Sequence, residues 1–115
     1  FPEFQPQVLD SLRQPLETGD AVARFYFEMA TNYEYFRRVG EALTSYRRAL
    51  EAGMNDIDMF HNCVLGETRC LLAMGKNDEA LAFLRMLVDT VPHEGERAAI
   101  ARMADDLEKR LRRPK

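Results

Sequence analysis

A chain of 115 residues, 46% of them hydrophobic, makes one domain with a single core. Its net charge of −3 argues against nucleic acid as the main ligand, because phosphate binding needs a basic surface. No apolar run approaches the ~18 residues that cross a bilayer, and no charged start leads into an apolar run of the signal-peptide type.

The first residue is Phe1 rather than Met, as expected of a processed product or a piece of something longer. Near the start, Pro6 suits the first position of a helix, and Val8, Leu9, Leu12 and Leu16 form a short stripe that Pro15 disturbs near its end. From Asp20, a good N-cap residue, apolar positions fall at Val22, Phe25, Tyr26, Met29, Tyr33 and Phe36. Steps of three and four residues predict a helix. A second stripe runs Ala42, Leu43, Tyr46, Ala49, Leu50 and is closed by Gly53. Asn55, Asp56 and Asp58 read as the start of a third helix, with Phe60, Cys63, Val64, Leu71 and Met74 on its stripe and Gly75 at its end. A fourth carries Ala80, Leu81, Leu84, Leu87 and Val88 and stops before Pro92. A fifth carries Ile100, Met103, Leu107 and Leu111 and runs into the basic tail RLRRPK. No strand-type alternation occurs, so the fold class is all-α.

The second and fourth helices look alike. One reads VGEALTSYRRALEAG and the other KNDEALAFLRMLVDTVP, and Ala42 and Ala80 stand 38 residues apart. A tetratricopeptide repeat has a period of about 34. The pattern resembles that family with a lengthened connection. Tyr26, Met29, Ala30 and Tyr33 match the large, large, small, large positions of the family's first helix. Ala42, Tyr46 and Ala49 match the small, aromatic, small positions of its second. In the second repeat Val64, Leu71, Gly75, Ala80, Leu84 and Pro92 match. Two positions depart: Thr68 stands where a small residue is expected, and Glu67 where an apolar one is. A buried carboxylate is costly unless paired, so Glu67 needs a basic partner or the register shifts there. The resemblance covers residues 23 to 92. It implies a leading helical segment (1–19), two hairpins in a right-handed stack (20–92), and a C-terminal capping helix with a basic tail (93–115).

The opening stretch PEFQPQVLDSLRQPLETGD, within residues 2–22, resembles a segment of the magnesium-chelatase-like AAA+ ATPases that directly follows their acidic pair. A phosphate loop needs G-x-x-x-x-G-K-[ST]. Of the six glycines only Gly75 precedes a lysine, Lys76, and no glycine stands five residues before it. The chain is not expected to hydrolyse ATP. The segment is expected to serve as a leading helix or to survive from a gene fusion.

Other candidate chemistry is weak. HEGER (93–97) is close to the HExxH zinc motif but ends in Arg97, so it reads as a helix start with acids Glu94 and Glu96. NDID (55–58) lacks the glycine and terminal Glu of a calcium loop. His61 has no nucleophile nearby in sequence, the serines being Ser11 and Ser45. Cys63 and Cys70 lie about 10 Å apart along a helix, beyond disulfide reach. They read as small core residues in a reducing cytoplasm. Arg37-Arg38 and Arg47-Arg48 read as solvated faces at a helix corner, with an acidic partner segment as the alternative.

The family resemblance implies a concave surface built from the first helix of each repeat. Its register selects Arg24, Phe27, Glu28, Thr31, Glu34 and Tyr35 from the first repeat and Asn62, Leu65, Arg69 and Leu72 from the second. Phe27 and Tyr35 lie off the core stripe, which suits a binding surface. The Lys and Asn set that clamps a C-terminal carboxylate in some relatives is absent, with Phe27 and Thr31 at the matching positions. The expected function is a non-enzymatic module, without cofactor or metal, that binds a protein or peptide in this groove. Phe27, Tyr35 and Leu65 would anchor the ligand, and Arg24, Glu34 and Arg69 would select charge. Nucleic acid and membrane are not expected partners. The alternatives are self-association into a homo-oligomer and a docking or regulatory role beside a magnesium-chelatase-like ATPase.

Overall fold

A computed structural model describes residues 20–113, and the opening stripe, the ATPase-like stretch before Asp20 and the last two tail residues lie outside them. Five α-helices follow one another: α1 (Asp20–Tyr35), α2 (Val39–Ala52), α3 (Ile57–Ala73), α4 (Asn77–Thr90) and α5 (Glu94–Arg112). The described residues hold no strand.

Short turns set the pairing. At the end of α1 the Arg37 N–H donates to Glu34 O (3.0 Å) and the Arg38 N–H to Tyr33 O (2.8 Å). At the end of α3 the Gly75 N–H donates to Leu72 O (3.0 Å) and the Lys76 N–H to Leu71 O (2.8 Å). Both are Schellman closures, which need one residue with positive φ. Asp56 caps α3 by accepting from the Met59 N–H at 3.0 Å. Asp20 does not act as the expected cap. It is the first helical residue, and its Oδ1 accepts from the Asn55 N–H at 2.6 Å, tying the start of α1 to the linker between hairpins.

The core runs through all five helices. Ala23, Ala30, Ala42 and Ala49 are fully buried where helices approach closely, and Tyr46, Val64, Leu71, Leu84 and Ile100 fill the space between them. Each of the larger side chains contributes about 2 kcal/mol by leaving water. Cys63 and Cys70 are free and sit in this core. Gly66 is the closest approach: a Cβ there would clash with the Cζ edge of the Tyr46 ring.

The register is not shifted at Glu67. Its carboxylate is 4% exposed and accepts from Arg47 Nε at 3.0 Å. Arg47 Nη2 also donates to Glu79 at 3.0 Å, so Arg47 is the basic partner that Glu67 requires and not the solvated residue expected. Burial lifts the Glu67 carboxyl above the usual carboxylate range, with Arg47 pulling it back. Thr68 fits a small-residue position because its hydroxyl turns back to Val64 O at 2.8 Å.

α5 repeats the pattern of the other first helices. Ile100, Met103, Ala104 and Leu107 stand 36 residues after Val64, Glu67, Thr68 and Leu71, and three of the four are buried. α5 therefore carries the spacing of a first repeat helix.

Candidate protein-interaction surface

α1 and α3 carry the sequence-selected residues, with unequal roles. Arg24 is exposed and reaches Asp56 Oδ2 at 3.4 Å, a weak contact at that exposure. Glu28 and Thr31 are exposed, with the Thr31 hydroxyl donating to Glu28 O at 2.9 Å. Asn62 is exposed, and Leu65 and Leu72 are half-buried. Tyr35 is 80% exposed and meets Phe36 edge-on at 5.1 Å, at the far end of α1. Phe27 departs from expectation. It is half-buried and packs on Tyr46 with ring centroids 6.2 Å apart, so part of its surface supports the hairpin.

Glu34 and Arg69 do not stand ready as separate charges. Arg69 Nε donates to Glu34 Oε2 at 2.8 Å and Nη2 to Oε1 at 2.9 Å, clasping α1 to α3. The Tyr46 hydroxyl donates to the same Glu34 Oε1 at 2.7 Å from beneath. The Arg69 hydrogen bond holds the Glu34 carboxyl below its ordinary range against the opposing effect of burial. Burial first, then the bond to Glu34, pushes the Tyr46 hydroxyl far up. The Arg69 guanidinium is held firmly protonated.

Between α3 and α5 the corresponding clasp is missing. The repeat register places Leu72 where Glu34 stands and Asp105 where Arg69 stands. Leu72 cannot accept a hydrogen bond, and Asp105 instead accepts from Arg85 of α4 at 3.0 Å. The two helices stand apart, and a cavity of about 450 Å³ opens between them. Leu65, Leu72, Leu84, Met103 and Leu107 give it an apolar floor, with Arg69, Asp106 and Arg110 at its rim. Sequence reasoning missed the α5 wall of Met103, Asp106, Leu107 and Arg110. The repeated large, large, small, large spacing at 100, 103, 104 and 107 was the signal that could have found it.

The two histidines are engaged locally. His93 caps α5, its Nδ1 accepting from the Glu96 N–H at 3.1 Å. His61 Nδ1 lies 2.6 Å from the buried Glu96 carboxylate. The thiols of Cys63 and Cys70 are pushed up to about 12 and about 11, burial being the main cause, which leaves both unreactive as nucleophiles. Among the described residues no helix is long and apolar enough to cross a membrane.

Antiparallel helical hairpins in register, small residues at the crossings and a groove along the first helices define a helical-repeat protein. The model of the Tetratrico peptide repeat family matches residues 23–113, and the chain belongs to that family. The match takes in α5, beyond the limit of residue 92 read from the sequence. Proteins of this family are generally non-enzymatic modules that bind proteins or peptides. Neither a curated protein nor a solved structure matches the chain.

Proposed function

We propose that the chain binds an extended peptide or a helix along the face of α1, α3 and α5, with an apolar ligand side chain seated between α3 and α5. The apolar cavity of about 450 Å³ carries this reading. Its volume suits one or two large side chains, and its polar rim orients a ligand. Leu65 and Leu72 are the anchoring contacts on α3, and Met103 and Arg110 those on α5. Tyr35 extends the face at its far end. The free, buried Cys63 and Cys70 suit a reducing compartment such as the cytoplasm.

A displayed peptide library tests the reading, selected on the wild type and counter-selected on Leu72→Lys/Arg110→Glu. Peptides that bind only the wild type support the groove. Equal recovery on both proteins places binding elsewhere and removes the proposal. Self-association through the same face predicts a dimer by light scattering that Leu72→Lys dissociates. A docking role beside a magnesium-chelatase-like ATPase rests on the resemblance of residues 2–22, and an in-frame phosphate loop upstream in the gene supports it.

A further inference from the structure

The outer face of the first hairpin is apolar and open. Phe25 is 54% exposed and Phe36 68% exposed, and between them Met29, Asn32 and Tyr33 line a second cavity of about 440 Å³. The repeat offset shows what this face is for. Phe25, Met29, Asn32 and Tyr33 stand 38 residues before Cys63, Glu67, Cys70 and Leu71. Those four are at most 4% exposed, because α2 lies over that side of α3. The first hairpin thus presents, uncovered among the described residues, the same surface that the second hairpin buries under the preceding helix.

We propose that residues 6–14 of this chain form that preceding helix and dock on the outer face of α1. One period before α2 stand residues 1–14. Val8, Leu9 and Leu12 then fall on the positions of Tyr46, Arg47 and Leu50, the α2 residues that pack over Gly66, pair with Glu67 and join the core. All three are apolar, as that inner face requires. Leu9 meets Met29 in this register, an apolar pair in the place of the Arg47–Glu67 ion pair. Pro15 falls on Gly53, where α2 ends, and Pro6 sets a helix start later than that of α2. Charge agrees with the packing. Residues 1–19 carry Glu3, Asp10 and Glu17 against Arg13, while the corner beside the open face carries Arg37, Arg38 and Arg48 against Glu41. The chain also enters at the right place, since α1 begins at Asp20, directly after this segment. This inference does not rest on the cavity between α3 and α5.

Cross-linking of the full chain tests it. Leu9→Cys/Met29→Cys is treated with a short bis-maleimide, beside a control pair Leu9→Cys/Asp89→Cys whose second site is exposed on α4. Cys63 and Cys70 are 0% and 1% exposed and stay silent. Peptide mass mapping is expected to show an intramolecular link that forms at least about tenfold faster than in the control, as proximity demands. Equal rates for the two pairs overturn the proposal and leave the opening stretch as a segment merely joined to the repeats. A link between two chains also overturns it, and assigns the face to a second copy.

Discussion

Arg37 occupies in the first hairpin the left-handed backbone position that Gly75 occupies in the second, with φ of 61° against 75°. A side chain at such an angle crowds its own backbone, and only glycine adopts it without strain. Arg37→Gly is therefore expected to stabilise the protein by about 0.5–1 kcal/mol, part of the gain being offset by the freer unfolded chain. Gly75→Arg should cost a similar amount. Urea unfolding of both variants checks the pair, and a destabilised Arg37→Gly would show that the Arg37 side chain makes a compensating contact.

The Arg47–Glu67 pair predicts a dependence on acid. The folded state raises the Glu67 carboxyl, so its charge costs stability at neutral pH, and that cost is relieved as pH falls through the raised value. Arg47→Met leaves the buried carboxylate without its guanidinium. The expected loss at pH 7 is about 2 kcal/mol, below the usual figure for a buried pair because the Arg47 side chain is 41% exposed. The loss should shrink on acidification toward pH 5. Unfolding curves at the two pH values decide it, and an undiminished loss would mean that Arg47 acts by packing alone.

Glu34 carries the opposite sign. Its carboxyl is held below the ordinary value of 4.5, so its contribution is complete above that value and is lost as pH falls through the lowered one. Glu34→Gln should cost about 1–2 kcal/mol at neutral pH through the weakened bonds to Arg69 and Tyr46. Near pH 2 wild type and variant should converge. Parallel curves at every pH would contradict a titrating clasp.

Much of this was legible before any coordinates. Apolar spacing and a few turn residues located all five helices, since steps of three and four leave little choice of period. Asp20 misled because a good cap residue can equally serve a neighbouring loop. Arg47 misled because Arg47 and Arg48 are identical side chains adjacent in sequence, and only packing sends one to Glu67 and the other over the Tyr26 ring. The position of Phe27 off the main stripe did not reveal that its ring packs over the buried Tyr46. The α5 wall of the groove repeats the spacing of α1, but the gap beside it is a matter of how α3 and α5 pack, and no linear pattern carries that.

Gly66 and Tyr46 give a steric prediction. Gly66→Ala drives a methyl group against the Cζ edge of the fully buried Tyr46 ring, so the ring or the helices must shift. The expected cost is about 2–3 kcal/mol. Gly66→Ala/Tyr46→Leu should regain part of it, because the smaller side chain vacates the site. Thermal unfolding of the single and double variants separates this clash from the general effect of alanine in a helix, which alone would stabilise.

The absent clasp between α3 and α5 can be installed. Leu72→Glu/Asp105→Arg recreates at the second junction the pair that Glu34 and Arg69 make at the first. Arg85 keeps a partner in Glu108, 3.1 Å away, so the loss of Asp105 does not strand it. Each single variant should be neutral or destabilising, because it sets one charge beside an apolar floor. Together they should show a favourable coupling of about 1 kcal/mol in a double-mutant cycle. The double variant should also draw α5 toward α3 and bind groove-selected peptides at least about tenfold more weakly, since about 1.4 kcal/mol of lost contact suffices. Coupling without loss of binding would place the ligand outside the cavity. Loss of binding without coupling would attribute the effect to Leu72 itself and leave the missing clasp without a role in opening the groove.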